Sequence, residues 1–336
     1  DSAPTVSGSG AVVAYVHQSN ATSFRLDTIS VVDATVPVDE IGRSTTVRGM
    51  PLEPPNRAYR YRGAYQPVLS QNGRHLAFTS DADAAAALPG WSPGTQRGGW
   101  ATTQVYVWDR LAADQTRAVH LISGRDGEPS EAGAHSPVMS EDGRVVAFVS
   151  ADRGLVQAVY PRCTSTCPTQ IFRFDRDTDG NGVFDEPPRT ADAARRLALV
   201  SALGAGQPTA GLAVAADAAA WSPSVNADGS TIAFVTTATN LLPSRRVGGG
   251  TVTDGDLVLA EYHLGELRRA LADESLIDVP GAHNRPAMSR SGSVLVFDTL
   301  AGAALSEHLP RGADGSAPDP GRGRTLVVTR VRPELA

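Results

Sequence analysis

Pro137-Val-Met-Ser-Glu-Asp-Gly-Arg-Val-Val-Ala-Phe148 is one of five copies of a single block. The others are Pro4-Thr-Val-Ser-Gly-Ser-Gly-Ala-Val-Val-Ala-Tyr15, Pro67-Val-Leu-Ser-Gln-Asn-Gly-Arg-His-Leu-Ala-Phe78, Pro223-Ser-Val-Asn-Ala-Asp-Gly-Ser-Thr-Ile-Ala-Phe234 and Pro286-Ala-Met-Ser-Arg-Ser-Gly-Ser-Val-Leu-Val-Phe297. All five align without a gap. Their starts at 4, 67, 137, 223 and 286 lie 63, 70, 86 and 63 residues apart. A constant short block with variable spacers means one supersecondary unit repeated, with insertions in its loops.

Each block reads as two short strands and a tight turn. The turn glycine, Gly143 in the quoted copy, takes positive φ without steric cost. Proline opens the first strand, where a missing N–H is tolerated. The second strand ends in apolar-Ala-aromatic, with Val296 for alanine in the last copy. Further strands follow. Gln104–Asp109 and Gln170–Asp175 occupy matching places, with Ile29–Asp33, Leu257–Glu261 and Thr325–Thr329 as counterparts. Arg117–Ile122 and Arg196–Val200 read as fourth strands. About four strands per repeat is the pattern of a β-propeller, whose radial repetition leaves only short edges.

The block Pro-x-apolar-Ser-x-Asp-Gly-x-x-apolar-Ala-Phe, with the later Val105-Tyr-Val-Trp-Asp109-Arg110, resembles the TolB-like (PD40-type) propeller repeat over nearly the whole chain. The resemblance implies an all-β propeller of four-stranded blades, read as five blades in one domain over residues 1–336. Six residues follow Arg330, too few for a full fourth strand. The ring therefore closes imperfectly, or the sequence is part of a longer chain. Crown insertions are expected near 82–103, 204–221, 243–254 and 311–324. Loops of that length are usually functional or mobile, and a short helix is one reading of Gly204–Ala220.

A net charge of −6 over 336 residues argues against nucleic acid, which calls for a basic stripe. All 30 basic residues are arginine, a bias that suits a GC-rich genome. No apolar run reaches the ~20 residues of a membrane span. The start at Asp1 reads as a mature N-terminus. Cys163 and Cys167, the two cysteines, suit a disulfide in a short polar loop, with free thiols or half a metal site as the alternatives. The disulfide points to an extracytoplasmic setting, periplasmic, secreted or at the cell surface, and TolB-like propellers are commonly exported.

The sharpest local motif is Asp175-Arg-Asp177-Thr-Asp179-Gly180-Asn181-Gly-Val-Phe-Asp185-Glu186. It matches the calcium-loop pattern D-x-D-x-D-G-x5-E. Ca²⁺ takes six to eight hard oxygens, and alternate carboxylates on a turning loop converge on one ion. The expected ligands are Asp175, Asp177, Asp179, the Asn181 carbonyl and Glu186, with Asp185 as a substitute for Glu186. Gln170–Phe174 reads as a strand and Pro187-Pro188 stops any exit helix, so the loop is grafted between strands of the third blade. Its expected role is structural; a solvated acidic hairpin tip is the alternative.

Gly90-Trp-Ser92-Pro-Gly94 matches G-x-S-x-G, but a nucleophile elbow needs a strand before the serine and a helix after it. Proline follows here. A second candidate set precedes the repeated prolines, where the inner strands start at one mouth of a propeller channel. It comprises Tyr65, His135, Trp221, His283 and Arg285, aromatic surfaces and donors suited to a ligand or peptide. Ordinary packing at the strand starts is the alternative. The sequence reads as an exported, non-catalytic scaffold that binds a protein through crown loops or funnel, with one calcium and one disulfide. The rivals are a lyase or hydrolase working around His135 and His283, and a structural subunit of a surface assembly.

Overall fold

A computed structural model describes residues 2–19, 26–34, 45–46, 62–80, 102–114, 117–164, 166–187, 193–203, 212–241, 246–247, 250–251, 256–261, 266–269, 283–299 and 325–330. The five blocks fold as five hairpins, and one polar residue closes each. In the third copy the Ser140 N–H donates to the Val145 carbonyl (2.8 Å) and the Gly143 N–H to the Ser140 carbonyl (3.0 Å). The Ser140 hydroxyl then accepts the Val145 N–H (2.9 Å). Ser7, Ser70, Asn226 and Ser289 accept the equivalent N–H at 2.9–3.0 Å. The Ser/Asn of the block is there because the turn leaves an N–H that only a short polar side chain reaches. Asp142 holds the other side: its carboxylate accepts the Ser140 hydroxyl (2.6 Å) and the Arg144 N–H (2.9 Å). Gly143 sits at φ 85°.

The second strand of each hairpin carries the core. Val145–Ser150 is buried at every position, as is His75–Ser80. A strand buried on both faces reads as a continuous apolar run rather than an alternation, as Val145–Val149 does. The repeat aromatic pairs with one from the third strand: Phe78 stacks on Tyr106 (5.8 Å) and Phe148 on Phe172 (5.7 Å).

The described chain falls into two compact units, Asp1–Gln157 with Phe172–Ala198, and Ala158–Ile171 with Leu199–Ala336. In the first unit the second repeat runs Arg62–Leu69, His75–Ser80, Gln104–Asp109, Val119–Leu121. The third runs Ala134–Met139, Val145–Ser150, Gln170–Asp175, Leu197–Leu199 in the same order, with Gln170, Ile171 and Leu199 assigned to the second unit. Adjacent turns are tied by backbone bonds, from the Gly8 N–H to the Gln71 carbonyl (2.7 Å) and from the Gln71 N–H to the Glu141 carbonyl (2.8 Å). One feature departs from separate blades. Leu26–Asp33, third strand of the first repeat, pairs in parallel with Arg62–Leu69 at Leu26–Arg62 and Asp27–Gly63, which joins the first two repeats into one sheet.

In the second unit the fourth repeat has four strands, Ala220–Val225, Thr231–Thr236, Asp256–Glu261 and Glu266–Arg269. The fifth has three among the described residues, His283–Met288, Val294–Thr299 and Thr325–Arg330. Its turn and that of the fourth repeat are tied by the Ala227 N–H to the Arg290 carbonyl (2.9 Å). Cys163 and Cys167 form a disulfide with Cα atoms 4.4 Å apart. The expected insertions 82–100, 204–211 and 311–324 lie outside the described residues. Within the others, Val214–Ala215 pairs with Ala202–Leu203, and Arg246–Val247 with Gly250–Thr251. No described helix is long and apolar enough to cross a membrane.

Candidate metal loop and its seat on the second repeat

The strand Gln170–Asp175 delivers the acidic loop, and its last residue belongs to the framework. The Asp175 carboxylate accepts Arg144 Nε (2.8 Å) and Nη2 (3.1 Å), Arg173 Nη2 (3.1 Å) and the Asp177 N–H (3.1 Å). The second repeat repeats the arrangement: Arg74 Nε and Nη2 fork onto Asp109 at 2.9 and 2.8 Å, and the Leu111 N–H caps the same carboxylate. Asp175 is therefore the third repeat's copy of a structural acid, already held by two guanidinium groups. The Asp175 fork raises the pKa of Arg144.

Arg176 follows the same internal rule. Arg110 donates to the Gly73 carbonyl and to Asp33 Oδ2. Arg176 donates to the Gly143 carbonyl (2.8 Å) and, through Nε, to Asp185 (3.0 Å). Both partners are buried, with side chains 1% and 7% exposed. The Asp185 N–H returns to the Arg176 carbonyl (2.8 Å), so the loop is closed at its neck by backbone and charge together. Phe184 lies over the Arg176 guanidinium (5.0 Å) and against the His75 ring (5.3 Å). His120 Nε2 stands 3.7 Å from Asp185 Oδ2. Asp185 is thus an ion-pair partner of Arg176.

Beyond the neck, the loop winds around Asp177. Its two oxygens accept the Asn181 and Gly182 N–H groups, each at 3.0 Å. Gly180 and Gly182 both have positive φ, 70° and 84°. Asn181 Nδ2 bridges Asp179 Oδ2 (3.1 Å) and Glu186 Oε2 (2.9 Å), while its Oδ1 accepts the Val183 N–H. Two carboxylates from opposite ends of the loop thus meet at one donor. The oxygens of Asp177, Asp179, Asn181 and Glu186 are the hard donors that Ca²⁺ takes. Among the described residues, no three acidic, His or Cys side chains stand in ligand geometry.

The pre-proline residues share a feature the sequence did not announce. Gln66, Ser136, Ser222 and Arg285 sit at φ 50–54°, each beside a register shift in its hairpin. Proline has no N–H for the ladder and pushes its predecessor out of the right-handed region; the chain passes the gap with a bulge. Only the proline signals this, since Gln, Ser and Arg are not residues that favour that region. Gln66 Oε1 accepts from Thr79 Oγ1 (3.0 Å) and from the Ser136 N–H (2.8 Å), joining two repeats. Of the funnel candidates, Tyr65 and Trp221 are half-buried, and His135 and Arg285 exposed. His135 Nδ1 is 2.9 Å from Ser136 Oγ. His283 opens its strand, and its side chain lies outside the described residues.

No family model matches the sequence, and no curated protein matches it. Solved structures of similar fold include TolB from Acinetobacter baumannii at 18% identity, covering 89% of this chain and 48% of that one, TM-score 0.39. The β-propeller domain of the Trilobed protease from Pyrococcus furiosus matches at 14% identity over 98% and 68%, TM-score 0.45. An oligogalacturonate lyase in complex with manganese matches at 12% over 88% and 57%, TM-score 0.44. This chain spans about half the length of that TolB. At these identities the likeness concerns the fold alone.

Proposed function

We propose that this chain, an all-β protein of TolB-like propeller repeats, is a non-catalytic binding scaffold that works outside the cytoplasm on a protein partner. The supporting observation is how its repeats use charge. Arg74 with Asp109, Arg144 with Asp175 and Arg176 with Asp185 each spend both charges on joining strands or a loop. Groups so paired hold a framework and do not exchange protons with a substrate. The Cys163–Cys167 disulfide agrees with an oxidising compartment and contributes about 2 kcal/mol by loop closure.

The third repeat adds a calcium-ordered loop. Asp177, Asp179, Asn181 and Glu186 would hold the ion, and Asp175 stays with Arg144. Bound calcium supplies a charge that draws the loop carboxylates together, and it stabilises the folded state to which alone it binds. Calorimetric titration of Ca²⁺ into chelator-treated protein, with melting curves before and after, tests this. Binding heat and a raised melting temperature are expected. The calcium-dependent part of the shift should vanish in Asp177→Ala, whatever that variant's basal stability. No heat and no shift would reduce the loop to an acidic hairpin tip.

The rival enzyme has one specific observation in its favour, the His135–Ser136 hydrogen bond beside a strained backbone. Covalent labelling of Ser136 by a fluorophosphonate would support it; an unlabelled serine supports the scaffold.

A further inference from the structure

The ninth position of the repeat block is Val12, Val145, Thr231 and Val294 in four copies, and His75 in the second. That histidine is 4% exposed and its Nδ1 has no hydrogen-bond partner. A valine would fill the site without desolvating a polar ring, so the histidine is held there at a cost its sister copies avoid. Its surroundings come from four elements. Arg74 immediately precedes it, at the end of the hairpin turn. Asp109, its register partner on Gln104–Asp109, has Oδ2 4.0 Å from Nε2. The Asp142–Gly143 turn packs so closely that a Cβ on Gly143 would lie 2.5 Å from Nδ1. Phe184 covers the ring from the acidic loop (5.3 Å) and carries Arg176 on it (5.0 Å). Asp185, beside Phe184, pairs with Arg176 and faces His120.

We propose that Arg176–Glu186 is an acid-released strap, docked on the second repeat at neutral pH through Phe184 and Asp185 and lifted when His75 takes up a proton. A charged ring here would face the buried Arg176 guanidinium, with half-exposed Arg74 beside it and Asp109 as the nearest anion. Burial first, and Arg176 next, lower the His75 pKa to about 4. A lifted strap returns the ring toward its ordinary value of about 6.5. The lifted form therefore binds the proton more tightly. The docked form keeps its full advantage above about pH 6.5 and loses it progressively down to about pH 4. Between pH 7 and pH 5 the ratio of lifted to docked strap rises by at most about twenty-fold, the value for a ring that recovers its ordinary pKa in full. Burial lowers the His120 pKa as well, so any part of the response that it carries has the same sign and persists when His75 is replaced.

Amide hydrogen exchange at pH 7 and pH 5, corrected for intrinsic chemistry and run in chelator and in calcium, reads this directly. Peptides spanning 177–186 should lose protection at pH 5, by up to about twenty-fold, while the core strand Val145–Ser150 keeps its own. His75→Val, the residue of three sister copies, should abolish most of that loss. His75→Thr, the residue of the fourth copy, serves if the valine variant folds poorly. A loss of the same size in both variants, a parallel loss in Val145–Ser150, or no loss in the native chain would each overturn the proposal. The chelator arm separates it from the calcium reading, since the strap responds there without the ion.

Discussion

Asp185→Asn isolates the charge that holds the neck of the acidic loop. Asp185 sits at φ 65°, a region asparagine tolerates as well as aspartate does, so the exchange alters charge and leaves the backbone alone. Arg176 would keep the Gly143 carbonyl and the face of Phe184 but lose its counter-charge while its side chain remains 1% exposed. Breaking a buried pair by neutralising one partner costs about 3–5 kcal/mol; the retained carbonyl puts the expectation at the lower end. Asp109→Asn is the internal control. Its partner Arg74 is 47% exposed, and solvent screening holds such a pair to at most about 1 kcal/mol. Urea denaturation of the two variants should separate them clearly. A double variant, Asp185→Asn with Arg176→Met, should recover most of the loss, because an apolar chain replaces a buried charge with little penalty. A cost for Asp185→Asn no larger than for Asp109→Asn, or strict additivity in the double variant, would refute the reasoning.

Two further perturbations follow from the hairpin. Gly143→Ala combines φ 85° with a Cβ 2.5 Å from His75 Nδ1, whereas Gly10→Ala has φ 76° and nothing within 4 Å. The first should cost about 3 kcal/mol and the second about 1 kcal/mol; equal losses in urea would deny the close packing. Ser140→Ala should cost about 1–3 kcal/mol by leaving the Val145 N–H buried and unpaired. Ser140→Asn, the fourth copy's solution at Asn226, should restore most of it, and no recovery would mean the hydroxyl serves another purpose.

The hairpins were legible because their chemistry is local. Serine, glycine and the returning N–H lie within five residues, so the block states its own turn. The third strands were legible as apolar runs, three of which end in aspartate, at Asp33, Asp109 and Asp175. Glu266–Arg269 was not, since Glu-Leu-Arg-Arg pairs through backbone and shows no apolar pattern. Nor was the parallel junction Leu26–Arg62, which pairs the backbones of residues 36 positions apart. The acidic motif was legible as a loop, but its register was not. D-x-[DN]-x-[DN]-G is satisfied from Asp175 to Gly180 and again from Asp177 to Gly182. Whether Asp175 belongs to an ion or to the framework depends on Arg144, which reaches it across the sheet.

The third repeat needs its loop because of the way the repeats share out their arginines and aspartates. An aspartate at the end of the third strand takes the arginine fork of its own hairpin, as Asp109 takes Arg74 and Asp175 takes Arg144. The arginine that follows must find another carboxylate, because a two-oxygen carboxylate is well matched by one bidentate fork. Arg110 reaches back to Asp33 of the first repeat, where Ala11 stands in place of the fork arginine. By the same geometry Arg176 would turn to Asp109, but Arg74 already forks onto both of its oxygens. The acidic insertion supplies Asp185 instead, and with it Phe184 is laid across His75. The loop that carries the calcium motif therefore also completes a charge pattern that the preceding repeat leaves open. Shortening it would strand a buried guanidinium as well as remove acidic residues, so loop and framework are expected to fail together.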